Sequence, residues 1–205
     1  MRTSFLTADW FNRPATEVAV DLLGCTFCRK INDETIQGTI VETEAYEAGD
    51  PAMYAYQRKT ERNAVVFGPA GVAYVYRIYR QYHCFNIVTD KEGIASTILI
   101  RAVDLQQRPS WLVEKETATK PEKLTRVAAG PGKLCRVLQI DTSLKGLAIH
   151  PDSGLWVEPR AAHHPTDLDI TQTTRIGLSK GVDIPWRWYL TKSTAVSKKA
   201  ASKKT

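Results

Sequence analysis

The chain has 205 residues, 43% hydrophobic and 24% charged, with a formal net charge of +6 and a pI near 9.1. That is enough for one sizeable core in the composition of a soluble globular domain. No apolar run is long enough to cross a bilayer, and Met1-Arg2-Thr3-Ser4 followed by Phe5, Leu6 and Asp9 does not read as a signal peptide. Membrane-spanning and exported classes are therefore set aside, and the expected location is cytoplasmic, nucleoid-associated in a bacterium or nuclear in a eukaryote. The positive balance favours an anionic partner only weakly, because Lys198, Lys199, Lys203 and Lys204 cluster near the end, and without them the charge is +2. Residues 1–192 read as one domain and 193–205 as a basic, disordered tail.

In chain order, Asn12-Arg13-Pro14 opens a short amphipathic helix with Ala15, Val18, Ala19 and Leu22 on one side, and Gly24 ends it. Cys25–Lys30 and Ile36–Tyr46 are predicted strands, joined by the turn residues Asn32-Asp33-Glu34. Cys25-Thr26-Phe27-Cys28 has a metal-binding or redox spacing, but Cys84 and Cys135 are isolated, and on a strand positions 25 and 28 face opposite ways. The reading is buried strand cysteines, with no metal and no cofactor expected.

In the second strand Glu42 and Glu44 stand two apart and project from one face. If that face is dry, repulsion and desolvation work against ionising both, which is how a carboxylate becomes a usable general base. If it is wet, they are two ordinary glutamates on a solvated edge, and these residues alone favour that reading. Ala48–Arg62 has no clean period and holds Gly49, Pro51, two tyrosines and several cations. An ordered loop of this length in a compact domain is usually functional.

After Gly68-Pro69-Ala70-Gly71, Val72–Tyr79 and Tyr82–Val88 are predicted to form an antiparallel hairpin. Neither Arg80 nor Gln81 favours positive φ, so a wider turn that takes in Tyr79 and Tyr82 is expected. Tyr74 reads as a β-former packing across the pair, whereas aromatics at the tip beside Arg77 and Arg80 suit stacking on bases or wedging into a duplex. Ser96–Ala102 is a buried strand in which Arg101 is either a snorkelling edge residue or the partner of a buried carboxylate, Glu44 being available. Leu105–Leu124 reads as a helix with a mobile connection. Gly130-Pro131-Gly132 precedes a helix through Leu134 and Leu138; its first N–H groups and Lys133 could hold a phosphate, although such a turn is more often only a turn. Leu155–Val157 is a strand, His163-His164-Pro165 is loop, and Arg175–Leu178 with Pro185–Leu190 closes the fold.

Taken together, IVETEAY (40–46), DPAxxAYxxKTxRN (50–63), VYxIYxxYxCxNI (75–87), LIRA (99–102), GPGKLC (130–135), RIG (175–177) and PWRWY (185–189) resemble the 3-methyladenine (alkyladenine) DNA glycosylase family. The likeness runs from Phe11 to Leu190 in one order without large gaps. It implies a single α+β domain on a curved antiparallel sheet, with flanking helices and a protruding β-hairpin that enters the DNA minor groove. It implies a monofunctional base-excision repair hydrolase that acts as a monomer on double-stranded DNA containing damaged purines. Such an enzyme flips the purine out, cleaves its N-glycosidic bond with an activated water and leaves an abasic site.

Carried onto this chain, the resemblance makes Glu44 the general base and Arg101 the arginine that helps position the water, with Glu42 structural. Tyr46 and Tyr76 are the aromatics that sandwich the flipped base, Asn86 screens its edge, and Tyr79 enters the space it leaves. Arg77, Arg80 and Lys133 are candidates for the DNA backbone. Three positions depart from the family pattern: Tyr54 stands where relatives have a pocket histidine, Arg80 where they have glycine, and Glu61 where they have proline. Substrate range is thus less determined than the reaction. Two other classes stay open: a protein of this fold that binds distorted duplex without cutting, and an RNA-binding module using the same tyrosines.

Overall fold

The computed structural model describes residues 5–56, 58–115, 121–160 and 168–201. Among them, eight strands form one antiparallel sheet: β1 (Thr26–Ile31), β2 (Glu34–Tyr46), β3 (Ala73–Ile78), β4 (Tyr82–Val88), β5 (Thr97–Leu105), β6 (Leu155–Glu158), β7 (Ile170–Thr173) and β8 (Arg187–Leu190). The order is β3-β4-β5-β2-β1-β6, with β8 also paired to β2 and β7 to β8. β2 is the axis of the molecule. One edge follows β5 along nearly its whole length, while the other pairs with β1 over Glu34–Thr39 and with β8 over Glu42–Glu44. This exchange of partners curls the sheet.

Burial alternates along the first half of β2, with Ile36, Gly38 and Ile40 inward, and becomes continuous from Ile40 to Ala45, where both faces are covered. At Gly38 an added Cβ would meet Val103 Cγ1 at 2.5 Å and the Asp104 carbonyl oxygen at 2.8 Å, so glycine permits the close passage of β5. The helices α1 (Ala8–Phe11), α2 (Ala15–Asp21), α3 (Ser110–Lys115), α4 (Leu124–Val127) and α5 (Pro131–Val137) flank the sheet. The main core joins Phe11, Val18 and Leu22 from the first helical stretch to Phe27, Ile40, Phe85, Ile100 and Leu134. Full burial of such side chains contributes roughly 1.5 to 3 kcal/mol each.

Most expected elements are present, and the differences have local causes. Glu34 belongs to β2, because Asn32 at φ 53° turns the chain within two residues. The tip of the β3–β4 hairpin is Tyr79-Arg80-Gln81, and Tyr82 stays paired to Ile78. Tyr79 (φ 44°) and Arg80 (φ 63°) both take the left-handed conformation despite their side chains. β5 continues to Leu105, so the helix expected from there starts only at Ser110; residues 116–120 lie outside the described residues, as does His163-His164-Pro165. β7 was not anticipated. Cys25 and Cys28 are buried and apart in environment: Cys25 Sγ donates to the Asp21 carbonyl, and Cys28 Sγ lies 3.5 Å from Gln37 Nε2. Burial pushes the two thiols up to about 11 and about 12.

The disordered tail is corrected for residues 193–201. Ala195 and Val196 are buried against Val41, Ala102 and Tyr189. The backbone around them bonds to Arg126, Arg187 and Glu42. Lysine-rich composition suggested solvation, but two apolar side chains and several charged partners hold the segment. Residues 202–205 lie outside the described residues.

Candidate active site

The site begins with two irregularities in the β2–β5 ladder. Ile40 faces Val103 and Glu42 faces Ala102, which leaves Val41 as an extra residue on β2; Thr43 then faces Ile100, which leaves Arg101 as an extra residue on β5. A bulge re-aims side chains locally. Here it coincides with an arginine that reaches both glutamates: Arg101 Nε is 3.1 Å from Glu42 Oε1, and Arg101 Nη1 is 3.2 Å from Glu44 Oε2. All three are buried, the two glutamates at 0% exposure.

The face is therefore dry, but its charges are matched. Arg187 Nη1 donates to Glu42 Oε1 at 2.8 Å, so two arginines oppose two carboxylates. Burial by itself would lower the pKa of Arg101; the Glu44 and Glu42 carboxylates outweigh it and hold the guanidinium more firmly protonated than usual. Mutual repulsion of the glutamates is thus offset by the cation between them.

The two carboxylates are held differently. Glu42 accepts from Arg101 Nε, Arg187 Nη1, and both the backbone N–H and the Oγ of Ser197. Three of these donors fall on Oε1 and one on Oε2, so the carboxylate is tied to Arg101, Arg187 and Ser197 at once. Glu44 accepts from the Ile176 N–H at 2.8 Å on Oε1 and from the Tyr46 hydroxyl at 2.8 Å on Oε2, besides Arg101. That leaves capacity for one further donor, such as a water. Burial, and then the nearby Glu44 charge, push the Tyr46 hydroxyl well above its ordinary value, so it remains a donor.

Beside Glu44 lies an aromatic cluster. Tyr54 stacks on Tyr76 with ring centroids 5.8 Å apart, and Tyr74 tilts against Tyr76 at 5.4 Å. Tyr46 and Tyr76 pack on the same small core as Met53 and Val88. Asn86 is buried next to them and donates from Nδ2 to the Tyr74 carbonyl. Arg175 fixes the surrounding loops: its guanidinium lies 4.6 Å from the Tyr46 ring centre, forms a two-pronged pair with Asp50, and donates to the Ala45 carbonyl. By holding Arg175, Asp50 ties the 48–63 loop to the residue that precedes Ile176.

The hairpin tip stands apart from this cluster. Tyr79 is 85% exposed. Below it, Arg62, Arg77, Arg80, His83 and Lys145 line a groove that Tyr76 also enters. Gly132 meets the hairpin next to its tip, where an added Cβ would approach the Tyr82 ring to 2.9 Å. Lys133 is not part of the groove lining; its ammonium is paired with Glu122.

Glu44, Arg101 and Tyr46 are thus brought together, Tyr54, Tyr76 and Asn86 adjoin them, and Tyr79, Arg77 and Arg80 sit on the hairpin. Asp50, Arg175, Ile176 and Arg187 stand in motifs that carry the resemblance but were given no role, and Ser197 stands in none. One signal was available: two buried glutamates require two cations, and only Arg101 had been assigned.

A curled antiparallel sheet carrying a buried, arginine-bridged carboxylate pair beside clustered tyrosines and a basic hairpin defines an α+β protein of nucleic-acid chemistry. The model of the methylpurine-DNA glycosylase family matches residues 9–194. The chain is 52% identical to a protein of Trichodesmium erythraeum over 92% of this chain and 95% of that one. It is 50% identical to one of Synechococcus sp. strain JA-3-3Ab over 92% and 97%, and 41% identical to one of Methanoculleus marisnigri over 95% and 99%. All three carry the provisional name 3-methyladenine DNA glycosylase. The chain belongs to the methylpurine-DNA glycosylase family. It is a base-excision repair DNA glycosylase with DNA as its substrate.

Proposed function

We propose that this glycosylase, acting as a monomer without a cofactor, hydrolyses the N-glycosidic bond of damaged purines in double-stranded DNA, with Glu44 as general base. The observation that carries the reading is the unequal placement of the two carboxylates: Glu42 is tied by four donors to Arg101, Arg187 and Ser197, whereas Glu44 takes three, lies beside Tyr46 in the tyrosine cluster, and keeps room for a water on Oε1. Glu44 takes a proton from that water as its oxygen bonds to C1′ of the sugar. The C1′–N bond breaks, its electron pair leaves with the purine, and a hydroxyl remains on the abasic sugar. Arg101 pairs with Glu44 and orients the water.

The purine reaches this buried carboxylate by leaving the duplex. Tyr46 and Tyr76 supply stacking faces, Tyr54 extends that wall with a hydroxyl in place of an imidazole, and Asn86 screens the base edge. Tyr79 fills the vacated stack, while Arg77 and Arg80 follow the phosphates along the groove. Lys133, paired with Glu122, would need to exchange that partner for a phosphate.

The test is to incubate purified protein with duplexes that each carry one damaged purine: 3-methyladenine, 7-methylguanine, hypoxanthine or ethenoadenine. Alkali-labile abasic sites, without prior nicking, are expected with at least one. Binding to all four with no abasic site in any would leave a binder of distorted DNA.

A further inference from the structure

We propose that the C-terminal segment Ser193–Lys198 is a positioning device for the reaction centre and acts through Ser197; this rests on the roles given above to Glu44 and Arg101. The segment lies past the last strand and carries no residue that touches Glu44. Its placement is nevertheless specific. Ser197 donates its N–H to Glu42 Oε2 at 2.7 Å and its Oγ to Glu42 Oε1 at 2.9 Å. Arg187 joins the same carboxylate to the Lys198 carbonyl at 2.8 and 2.9 Å. From the other side, Arg126 donates to the carbonyls of residues 194, 196 and 197 at 3.1, 2.7 and 3.2 Å.

The consequence follows from the shape of a guanidinium. It is planar, so the bond from Arg101 Nε to Glu42 Oε1 sets the plane in which Nη1 meets Glu44. Glu42 can give that direction only if its own carboxylate cannot rotate. Two of its four donors come from Ser197. Without them Glu42 turns or admits water, and Arg101 loses its fixed angle to Glu44. Catalytic geometry is sensitive to misplacement of this kind even from a residue that never meets substrate. Ser197 is therefore a positioning residue, and its removal should reach the rate rather than the affinity.

The experiment measures single-turnover excision, lesion-duplex Kd and thermal midpoint in the full-length chain for Ser197→Ala, Ser197→Thr and Arg126→Gln, with Glu44→Gln alongside. Ser197→Ala should slow excision about 10-fold, the order expected for losing one hydrogen bond to a charged group, with Kd unchanged. Ser197→Thr, which keeps the hydroxyl, should recover most of the rate. Arg126→Gln, which loosens the segment from outside, should slow excision in the same direction. In a Glu42→Gln background, Ser197→Ala should cost little more, because both act along one path. If Ser197→Ala excises at the full rate while Glu44→Gln is inactive, the positioning role is wrong and the base assignment stands. If Glu44→Gln is itself active, the base assignment is wrong whatever Ser197 does. Equal losses in Ser197→Ala and Ser197→Thr, each with a lowered midpoint, would make the segment a stabiliser of the fold only and overturn the proposal.

Discussion

The ring of Tyr54 stacks on that of Tyr76, with centroids 5.8 Å apart and planes 13° from parallel. Tyr54 is also 46% exposed, and the Arg62 guanidinium lies 5.4 Å from its ring centre. A tyrosine at this position therefore makes a stacked pair that braces Tyr76. An aromatic pair is worth about 0.5 to 1.5 kcal/mol beyond its buried area. Tyr54→Ala should weaken binding to a lesion duplex by roughly 2- to 10-fold, with a smaller effect on undamaged duplex. Equilibrium titration of both duplexes checks this. Tighter lesion binding in the variant would mean that the ring occupies the place of the base.

Tyr79 reaches 85% exposure on a left-handed backbone at φ 44°, an arrangement with no packing benefit in the free protein. It suits a residue that acts outside the fold. Replacing the stacking lost on flipping is worth about 1 to 3 kcal/mol per base. Tyr79→Ala should slow single-turnover excision from paired lesions and do much less to lesions already unpaired. Equal slowing of both would assign the ring to the fold or the pocket instead.

Arg80 occupies a left-handed position at φ 63°, which glycine adopts at no steric cost. Arg80→Gly should lower affinity for damaged and undamaged duplex alike and reduce the salt slope by about one unit, as expected for one lost phosphate contact. Relief of a left-handed side chain gains about 1 to 2 kcal/mol, whereas the freer unfolded glycine costs about 0.4 to 1. The variant should therefore be no less stable than the parent. A salt titration and a thermal melt on the same sample decide both points, and an unchanged slope would remove Arg80 from the DNA contact.

Asp50 and Arg175 form an ion pair in which both side chains are 0% exposed. Breaking such a pair leaves a buried charge uncompensated and typically costs about 3 to 5 kcal/mol. Asp50→Asn should lower the thermal midpoint by roughly 6 to 20 °C, since 1 kcal/mol moves a chain of this size by about 2 to 4 °C. A shift near zero would mean that Arg175 is sufficiently served by the Ala45 and Gly181 carbonyls.

What was legible in the sequence was the strand bearing Glu42 and Glu44, its continuity with an arginine-bearing strand, and the hairpin. Alternation and β-branched residues mark strands directly. The double bulge was not legible, because an extra residue in a ladder leaves no mark in the sequence, and Val41 and Arg101 fit an unbroken strand equally well. For the same reason the pairing of Arg101 with Glu42 as well as Glu44 could not be read. Ile170-Thr171-Gln172-Thr173 has three β-branched residues and so carries a strand signal of its own, but only its pairing to β8 places it in the sheet. Ser193–Ser197 is held by Glu42 and Arg126, both distant in sequence, while its neighbours are lysines, so local composition pointed the wrong way.

The central claim is that Glu44, and not Glu42, is the base. Excision in a single turnover and binding to the same lesion duplex, measured for Glu44→Gln, test it most directly. Loss of a positioned general base typically costs about 10²- to 10⁴-fold, and removing a negative charge near the phosphates does not weaken association. The account predicts a drop of that size with lesion binding retained. Excision at the parental rate in Glu44→Gln, with loss in Glu42→Gln, would contradict it and move the base to the neighbouring carboxylate.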